Sequence, residues 1–203
     1  MKAVVAAGLF VWVAFAFALA HHAEAQLTNR AAMIPWRAIV GAMLLAMLAL
    51  LIRPLAGAAL CGVACIALVA AAAGDARTGY LFDAITLPAA VLVAFLALCT
   101  GAAQSAAGGV ALTVGVFGDV VLLSRGRWMG LGDVKALYAL GAAFGPLESL
   151  LAILAASLCA IATTAVAGRL QCGREIRFGP HLAVGAAFAL VAGEPIVHGW
   201  MGL

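Results

Sequence analysis

The sequence LAGAALCGVACIALVAAAAGDAR, residues 55–77, begins with nineteen consecutive uncharged residues, Leu55 to Ala73, and continues as Gly74-Asp75-Ala76-Arg77. A helix needs about 20 apolar residues to cross the hydrocarbon core of a bilayer. The stretch therefore predicts a transmembrane helix with a carboxylate and a cation at one end. Ionisable groups at membrane depth are costly and by default suggest function, so Asp75 is a candidate functional residue.

The whole chain has the same apolar character. Of its 203 residues, 67% are hydrophobic and 9% are charged, and the mean hydropathy is +1.20. A soluble domain is about half apolar and a quarter charged. The proportions exclude an ordinary soluble globular protein, a disordered chain and a nucleic-acid binder. Because the apolar runs are continuous rather than alternating, they favour helices over a transmembrane barrel.

We therefore predict an all-α, polytopic helical membrane protein with seven to eight transmembrane helices, forming a single membrane domain over residues 1–203. The Gly101–Gly109 stretch is predicted to be a short loop, Gly145-Pro146 to separate the sixth and seventh helices, and Glu194–Leu203 to form a tail. The apolar runs are Ala3–Ala20, Ala38–Ile52, Leu55–Ala73, Thr86–Thr100, Val110–Leu123, Asp133–Phe144, Leu150–Ala167 and Pro180–Ala192.

The placement of positive charge predicts the orientation of these helices. Nine of the eleven Lys and Arg residues fall in segments that are separated from one another by an even number of predicted spans, so they share one face. The positive-inside rule makes that face cytoplasmic, with residues 21–37 as a short cytoplasmic loop. The nine residues are Arg30, Arg37, Arg77, Arg125, Arg127, Lys135, Arg169, Arg174 and Arg177.

The first apolar run has a second interpretation. Met1-Lys2, an apolar core and then Ala23-Glu24-Ala25 are also typical of a secretory signal with a cleavage site. Cleavage there would invert every later loop and place the cationic segments outside. The charge distribution favours a retained first transmembrane helix over Ala3–Ala20.

Two aspartates are predicted to meet at the cytoplasmic boundary. Asp75 ends the third span, and Asp133 opens the sixth in the sequence Gly130-Leu131-Gly132-Asp133. Two carboxylates that converge share a proton, so one stays ionised and can deprotonate a water while the other polarises a peptide carbonyl. This is aspartyl-protease chemistry, and the glycines would let a substrate strand approach. Taken alone, the G-x-G-D pattern is equally compatible with an Asp that stabilises a helix N-terminus.

Three segments resemble the type IV prepilin peptidase family, the bacterial G-x-G-D membrane aspartyl proteases. Asp75–Pro88 is similar to the family's first catalytic Asp followed by a stretch that ends in T-L-P. Met129–Gly145 resembles its M-G-x-G-D-x-K block nearly throughout. Phe178–Gly185 is similar to its F-G-P-x-L-x-x-G entry to a late helix. The three motifs occur in the family's order over more than half of the chain.

The resemblance implies a function. It implies a G-x-G-D aspartyl protease bundle in the bacterial inner membrane that removes the short basic leader from type IV prepilins or pseudopilins at the cytoplasmic face. The residues that match the family's catalytic pair are Asp75 and Asp133, and those that match the rest of the motifs are Gly130, Gly132, Lys135 and Asp83. The implied partners are the prepilin substrate and the lipid bilayer, with no nucleic acid.

The chain also departs from the family pattern. Larger members carry a cytoplasmic domain with two Cys pairs for zinc and methylate the new pilin N-terminus, whereas residues 21–37 contain no cysteine. We therefore expect the short, peptidase-only form that serves tight-adherence or related pili, with no metal, cofactor or methyltransferase activity. Phe82 stands where the family favours Pro, and Arg177 where Pro often precedes F-G-P.

Several alternatives stay open at this point. Asp119 is either a third proton-active carboxylate or a structural partner for Lys135 or an Arg, and the structural role is favoured. His21, His22 and Glu24 fit an exposed loop better than a metal site. The competing functions are a small transporter or proton channel that uses intramembrane aspartates, and a catalytically silent pilus-assembly homologue.

Overall fold

The computed structural model describes residues 1–28, 35–127, 129–167 and 177–202, and these form helices joined by short turns, with no strand. This confirms the predicted all-α fold. A π-helical turn, Ala189–Gly193, joins the last two α-helices. The α-helices are α1 (Lys2–Thr28), α2 (Trp36–Ile52), α3 (Leu55–Thr78), α4 (Asp83–Cys99), α5 (Ala103–Ser124), α6 (Leu131–Val166), α7 (Phe178–Phe188) and α8 (Glu194–Met201).

Most of these helices are built to lie in a membrane. Within the described residues, α1, α3, α5, α6 and the continuous α7–α8 segment are long and apolar enough to cross a bilayer, and α2 and α4 are shorter apolar helices of 17 residues. Their outward surfaces carry many large apolar side chains, for example Phe95, Leu123 and Val166. The chain is therefore an all-α polytopic membrane protein.

Helix α6 reverses direction in the middle. Gly145 has φ 72° and ψ −176°, a conformation that favours glycine, and Pro146 follows it. Glu148 pairs with Arg53, which precedes α3, whereas Thr163 bonds to His181, which lies beside the other end of α3. The sixth and seventh predicted spans are thus the two arms of a hairpin that turns at Gly145-Pro146.

Helix α3 is the central helix of the bundle. Helices α1, α2, α4, α6 and α7 all pack against it, and small residues let them approach closely. A Cβ at Gly62 would lie 3.0 Å from Leu9 of α1, and the Trp12 indole donates to the Val63 carbonyl over 3.1 Å. Asp75, near the end of α3, is held by this packing in a fixed place relative to the other helices.

Helix α5 packs on the first arm of α6 at glycine contacts. A Cβ at Gly109 would lie 2.0 Å from the Gly141 carbonyl oxygen, so both positions need glycine. The Thr113 hydroxyl hydrogen-bonds to the Leu137 carbonyl at 3.1 Å. The loop predicted over Gly101–Gly109 is therefore wrong: α5 begins at Ala103, because its small residues allow close helix packing.

A buried ion pair holds the far end of the bundle. The Arg53 guanidinium bonds to Glu148 at 2.6 and 3.0 Å and to the carbonyl of Ala189 at 2.9 Å, and Glu194 lies 3.2 Å away. Burial disfavours the charged form, but the hydrogen bonds and charge of Glu148 outweigh it, so the pKa of Arg53 lies above its usual value. The cluster ties the α2–α3 turn to the α6 hairpin turn and the π-helical turn.

Two more boundary predictions need correction. Helix α1 continues to Thr28, so the first part of the predicted 21–37 loop is helical, and most of the predicted Glu194–Leu203 tail forms α8, Glu194–Met201. Of the predicted cytoplasmic cations, Arg30, Arg169 and Arg174 lie outside the described residues. The other six lie at the end of the bundle that holds Asp75. Helix α2 runs toward the Arg53 end and α5 runs away from it, as the charge pattern predicts.

Candidate active site

Asp75 lies in the last turn of α3 and is almost fully buried, with 3% of its surface exposed. The backbone N–H of Gly179, the second residue of α7, donates to Asp75 Oδ2 over 2.9 Å. A Cβ at Gly179 would lie 2.6 Å from that oxygen. Glycine is therefore needed in the Phe178-Gly179-Pro180 sequence, because α7 begins directly on the carboxylate.

Arg177 and His181 flank the same carboxylate. Arg177 donates to the carbonyl of Ala76, the residue that follows Asp75. The His181 ring bonds to the Arg177 carbonyl at 2.9 Å and to the Thr163 hydroxyl at 2.8 Å. This network joins the start of α7 to the end of α3 and to the second arm of α6.

Asp133 is the third residue of α6 and lies close enough to Asp75 for their charges to interact. Its side chain interacts with the backbone of Gly130. Its Oδ1 atom is buried and has no hydrogen-bond partner among the residues that the structure describes. The structure thus brings together the two aspartates singled out from the sequence, with one carboxylate oxygen left to bond to another molecule.

The two glycines before Asp133 have different surroundings. Gly132 packs against the chain's own Leu81: a Cβ there would lie 3.1 Å from Leu81 Cβ and 3.4 Å from its carbonyl oxygen. Gly130 has extended backbone, and a Cβ there would lie 3.7 Å from Asp133 Oδ2. Gly132 therefore serves internal packing, while Gly130 leaves space next to the Asp133 carboxylate.

Lys135 and Asp83 form an ion pair beside the aspartates. Lys135 Nζ lies 2.6 Å from Asp83 Oδ2, and the side chains are 36% and 55% exposed. Lys135, one of the partners considered for Asp119, thus pairs with Asp83 instead. Asp119 is exposed on α5, and the described residues offer it no ion pair. The α5 face that packs on α6 is formed by Gly109 and Thr113.

Sequence reasoning missed an ion pair that ties α1 to this site. Arg77, two residues after Asp75, lies 2.9 Å from Glu24, whose side chain is only 8% exposed. Glu24 was expected in an exposed loop, but it lies on the buried face of α1 together with Leu9, Val13 and Ala20. These positions recur at the spacing of one helix face, and this pattern in the sequence could have predicted that Glu24 is buried. Within the described residues no group of three His, Cys, Asp or Glu side chains could hold a metal ion.

Comparison with known proteins finds one matching family and two similar curated proteins. The model of the type IV leader peptidase family matches residues 62–165. Two curated proteins named prepilin leader peptidase/N-methyltransferase, from Burkholderia pseudomallei strains 1026b and K96243, are each 33% identical over 144 residues. These alignments cover 64% of this chain and 45% of each relative, so the chain spans less than half the length of the relatives it matches. No solved structure gives a significant match.

Proposed function

The chain belongs to the type IV leader peptidase family, and from this we propose that it is an aspartic endopeptidase that removes the leader peptide from type IV prepilins or pseudopilins. The observation that carries the proposal is the placement of Asp75 and Asp133 at one end of the bundle, where Phe82 and Leu81 pack against the residues that precede them. Both relatives are named as prepilin leader peptidases. The proposed catalytic residues are the two aspartates.

The pair can hydrolyse a peptide bond without any other reactive group. The ionised carboxylate takes a proton from a water, whose oxygen attacks the peptide carbonyl carbon, while the protonated carboxyl gives its proton to the carbonyl oxygen. The resulting tetrahedral diol collapses as the carboxyl that took the water proton passes it to the leaving nitrogen, a diol hydroxyl returns a proton to the other carboxylate, and the C–N bond breaks. The unpartnered Oδ1 of Asp133 is suited to contact the water or the carbonyl oxygen.

The surroundings of the pair suit this role. Gly179 fixes one oxygen of Asp75, so its carboxylate is oriented before substrate binds. Gly130 leaves room beside Asp133 for an extended substrate. We assign supporting roles to Gly130, Gly132, Lys135 and Asp83, of which the last two form the exposed ion pair at the rim of the site.

The proposed location follows from charge. The described cations other than Lys2 and Arg53 lie at the aspartate end of the bundle, which by the positive-inside rule faces the cytoplasm of a bacterial inner membrane. A prepilin leader is basic and starts in the cytoplasm, so it would meet the aspartates directly. We treat residues 1–203 as one membrane domain, because five helices pack on α3.

The proposal covers peptide cleavage only. Residues 21–37 contain no cysteine, so the zinc-binding segment of larger family members has no counterpart there, and N-methylation is not proposed. The transporter and channel alternative needs carboxylates that follow one another through the membrane on facing helices, whereas Asp119 lies on an exposed face of α5. The silent-homologue alternative is disfavoured because both aspartates are present and converge.

The experiment is a cleavage assay in membranes. A candidate prepilin from the same genome is co-expressed with the full chain or with a double variant, Asp75→Asn/Asp133→Asn, in a host without its own prepilin peptidase. Mass spectrometry then reads the N-terminus of the pilin. We expect a shortened pilin with the full chain and the intact precursor with the double variant. Equal shortening by the double variant would refute the proposed chemistry.

A further inference from the structure

The short loop between α3 and α4, Gly79-Tyr80-Leu81-Phe82, packs against the residue that precedes Asp75. The Phe82 ring covers Gly74: a Cβ at Gly74 would lie 2.8 Å from Phe82 Cε2 and 3.0 Å from Cδ2. Gly74 is buried, and Phe82 packs against the core. The ring therefore occupies the space next to the Asp75 backbone, and only glycine at position 74 permits it.

The same loop also packs against the residue that precedes Asp133. Leu81 lies over Gly132: a Cβ added at Gly132 would lie 3.1 Å from Leu81 Cβ, which leaves little room for a side chain there. The next residue after the loop, Asp83, pairs with Lys135, two residues beyond Asp133. Three successive residues, 81 to 83, thus contact residues next to Asp75 on one side and residues next to Asp133 on the other.

In this arrangement, the position of the loop affects the distance between the Asp75 and Asp133 carboxylates. Asp75 lies near the end of α3, which is packed on several sides, and Asp133 lies near the beginning of α6. Two carboxylates with interacting charges would separate when both are ionised. Leu81 and Phe82 resist this movement, because each is seated on a glycine directly adjacent to one aspartate.

We propose that Leu81 and Phe82 are positioning residues that set the separation of the Asp75 and Asp133 carboxylates. The inference rests on the proposed function for its effect on catalysis, but the spacing itself can be measured without any substrate. A misplacement of about 1 Å can lower an enzymatic rate about 100-fold. The loop is therefore expected to influence turnover although neither side chain carries a reactive group.

The first test uses compensating substitutions in the full chain. Gly74→Ala places a methyl group against the Phe82 ring and should lower the cleavage rate at least 10-fold. Gly74→Ala/Phe82→Leu removes the outer ring atoms that clash while keeping apolar bulk, and it should recover several-fold of that loss. Gly74→Ala/Leu81→Ala is the mismatched control, and it should recover nothing, because Leu81 touches Gly132 instead.

The second test measures the spacing directly. In Asp75→Cys/Asp133→Cys, thiol-reactive cross-linkers of graded length are applied in membranes, and the linked peptides are identified by mass spectrometry, which separates them from links to native cysteines. With Leu81 and Phe82 in place, a narrow range of linker lengths should react. Adding Phe82→Ala should broaden that range, while Phe82→Leu, which keeps apolar bulk, should broaden it less.

Folding is checked by detergent size-exclusion profile and melting temperature for every variant. An unchanged linker range with Phe82→Ala, or equal rates for Gly74→Ala and the wild type, would overturn the positioning role. If Phe82→Ala changes the linker range but the wild type cleaves no prepilin, the positioning role is supported and the proposed function is not. The two claims therefore fail separately.

Discussion

Replacing Gly179 by alanine should disable the site without removing any reactive group. The new Cβ would lie 2.6 Å from Asp75 Oδ2, 3.0 Å from its Cβ and 3.1 Å from its Cγ. Ordinary contacts of this kind are about 3.5 Å. Since α3 is packed on several sides, the carboxyl group rather than the helix has to move, and it loses the 2.9 Å bond from the Gly179 N–H.

The expected magnitude follows from two effects. A hydrogen bond to a charged group contributes about 1.5–3 kcal/mol, and about 1.4 kcal/mol corresponds to a factor of ten in rate. A displacement of about 1 Å independently costs about 100-fold. Because the same movement causes both losses, they are not additive, and we expect kcat/KM to fall about 100-fold.

The assay is leader cleavage by protein in nanodiscs, followed by mass spectrometry under single-turnover conditions. Gly115→Ala is the matched control, since Gly115 lies in α5 and a Cβ there would meet nothing within 4 Å. It should cleave at the wild-type rate. A Gly179→Ala rate within about threefold of the wild type, in a protein that melts normally, would refute the claim that α7 positions Asp75.

Three further predictions concern the bundle and the rim of the site. Gly109→Ala should destabilise the protein by about 3 kcal/mol or more, because its Cβ would meet the Gly141 carbonyl at 2.0 Å; equilibrium unfolding in mild detergent measures this, and an unchanged midpoint would contradict it. Glu148→Ala should cost about 3 kcal/mol, because it leaves the Arg53 charge buried with only its more distant acidic partner; the same unfolding curves test it, and a loss under about 1 kcal/mol would show that the cluster is not a structural tie. Lys135→Met should change stability by less than about 1 kcal/mol, since its ion pair is exposed, so a large drop in melting temperature would show a structural rather than a supporting functional role.

Much of the fold could be predicted because lipid leaves few options. Long uncharged runs such as Leu55–Ala73 have to be helical, and the charge pattern fixes which ends lie together. The prediction is wrong where small residues are typical both of a loop and of a closely packed membrane helix. The sequence predicts a loop over Gly101–Gly109, although in a membrane the same glycines and alanines allow α5 to pack on α6.

The aspartate pair was predictable, whereas its environment was not. Asp75 and Asp133 stand out because carboxylates are rare in apolar segments. The roles of Gly74, Gly132 and Gly179 depend on which distant side chain lies within about 3 Å, and no local pattern contains that information. The Glu24–Arg77 pair was missed for the same reason, since its partners are far apart in sequence.

The central claim is that Asp75 and Asp133 act together as the proteolytic pair. Its most direct test is the single-turnover cleavage rate of Asp75→Asn and Asp133→Asn, each made separately in the purified full chain, with Asp119→Asn as the matched control. Asn keeps the size and polarity of Asp but cannot exchange the proton. The account predicts that either substitution at the pair lowers the rate about 100- to 10,000-fold, which is the range that general acid–base catalysis contributes, while Asp119→Asn cleaves at the wild-type rate. Full cleavage by either of the first two variants would contradict it.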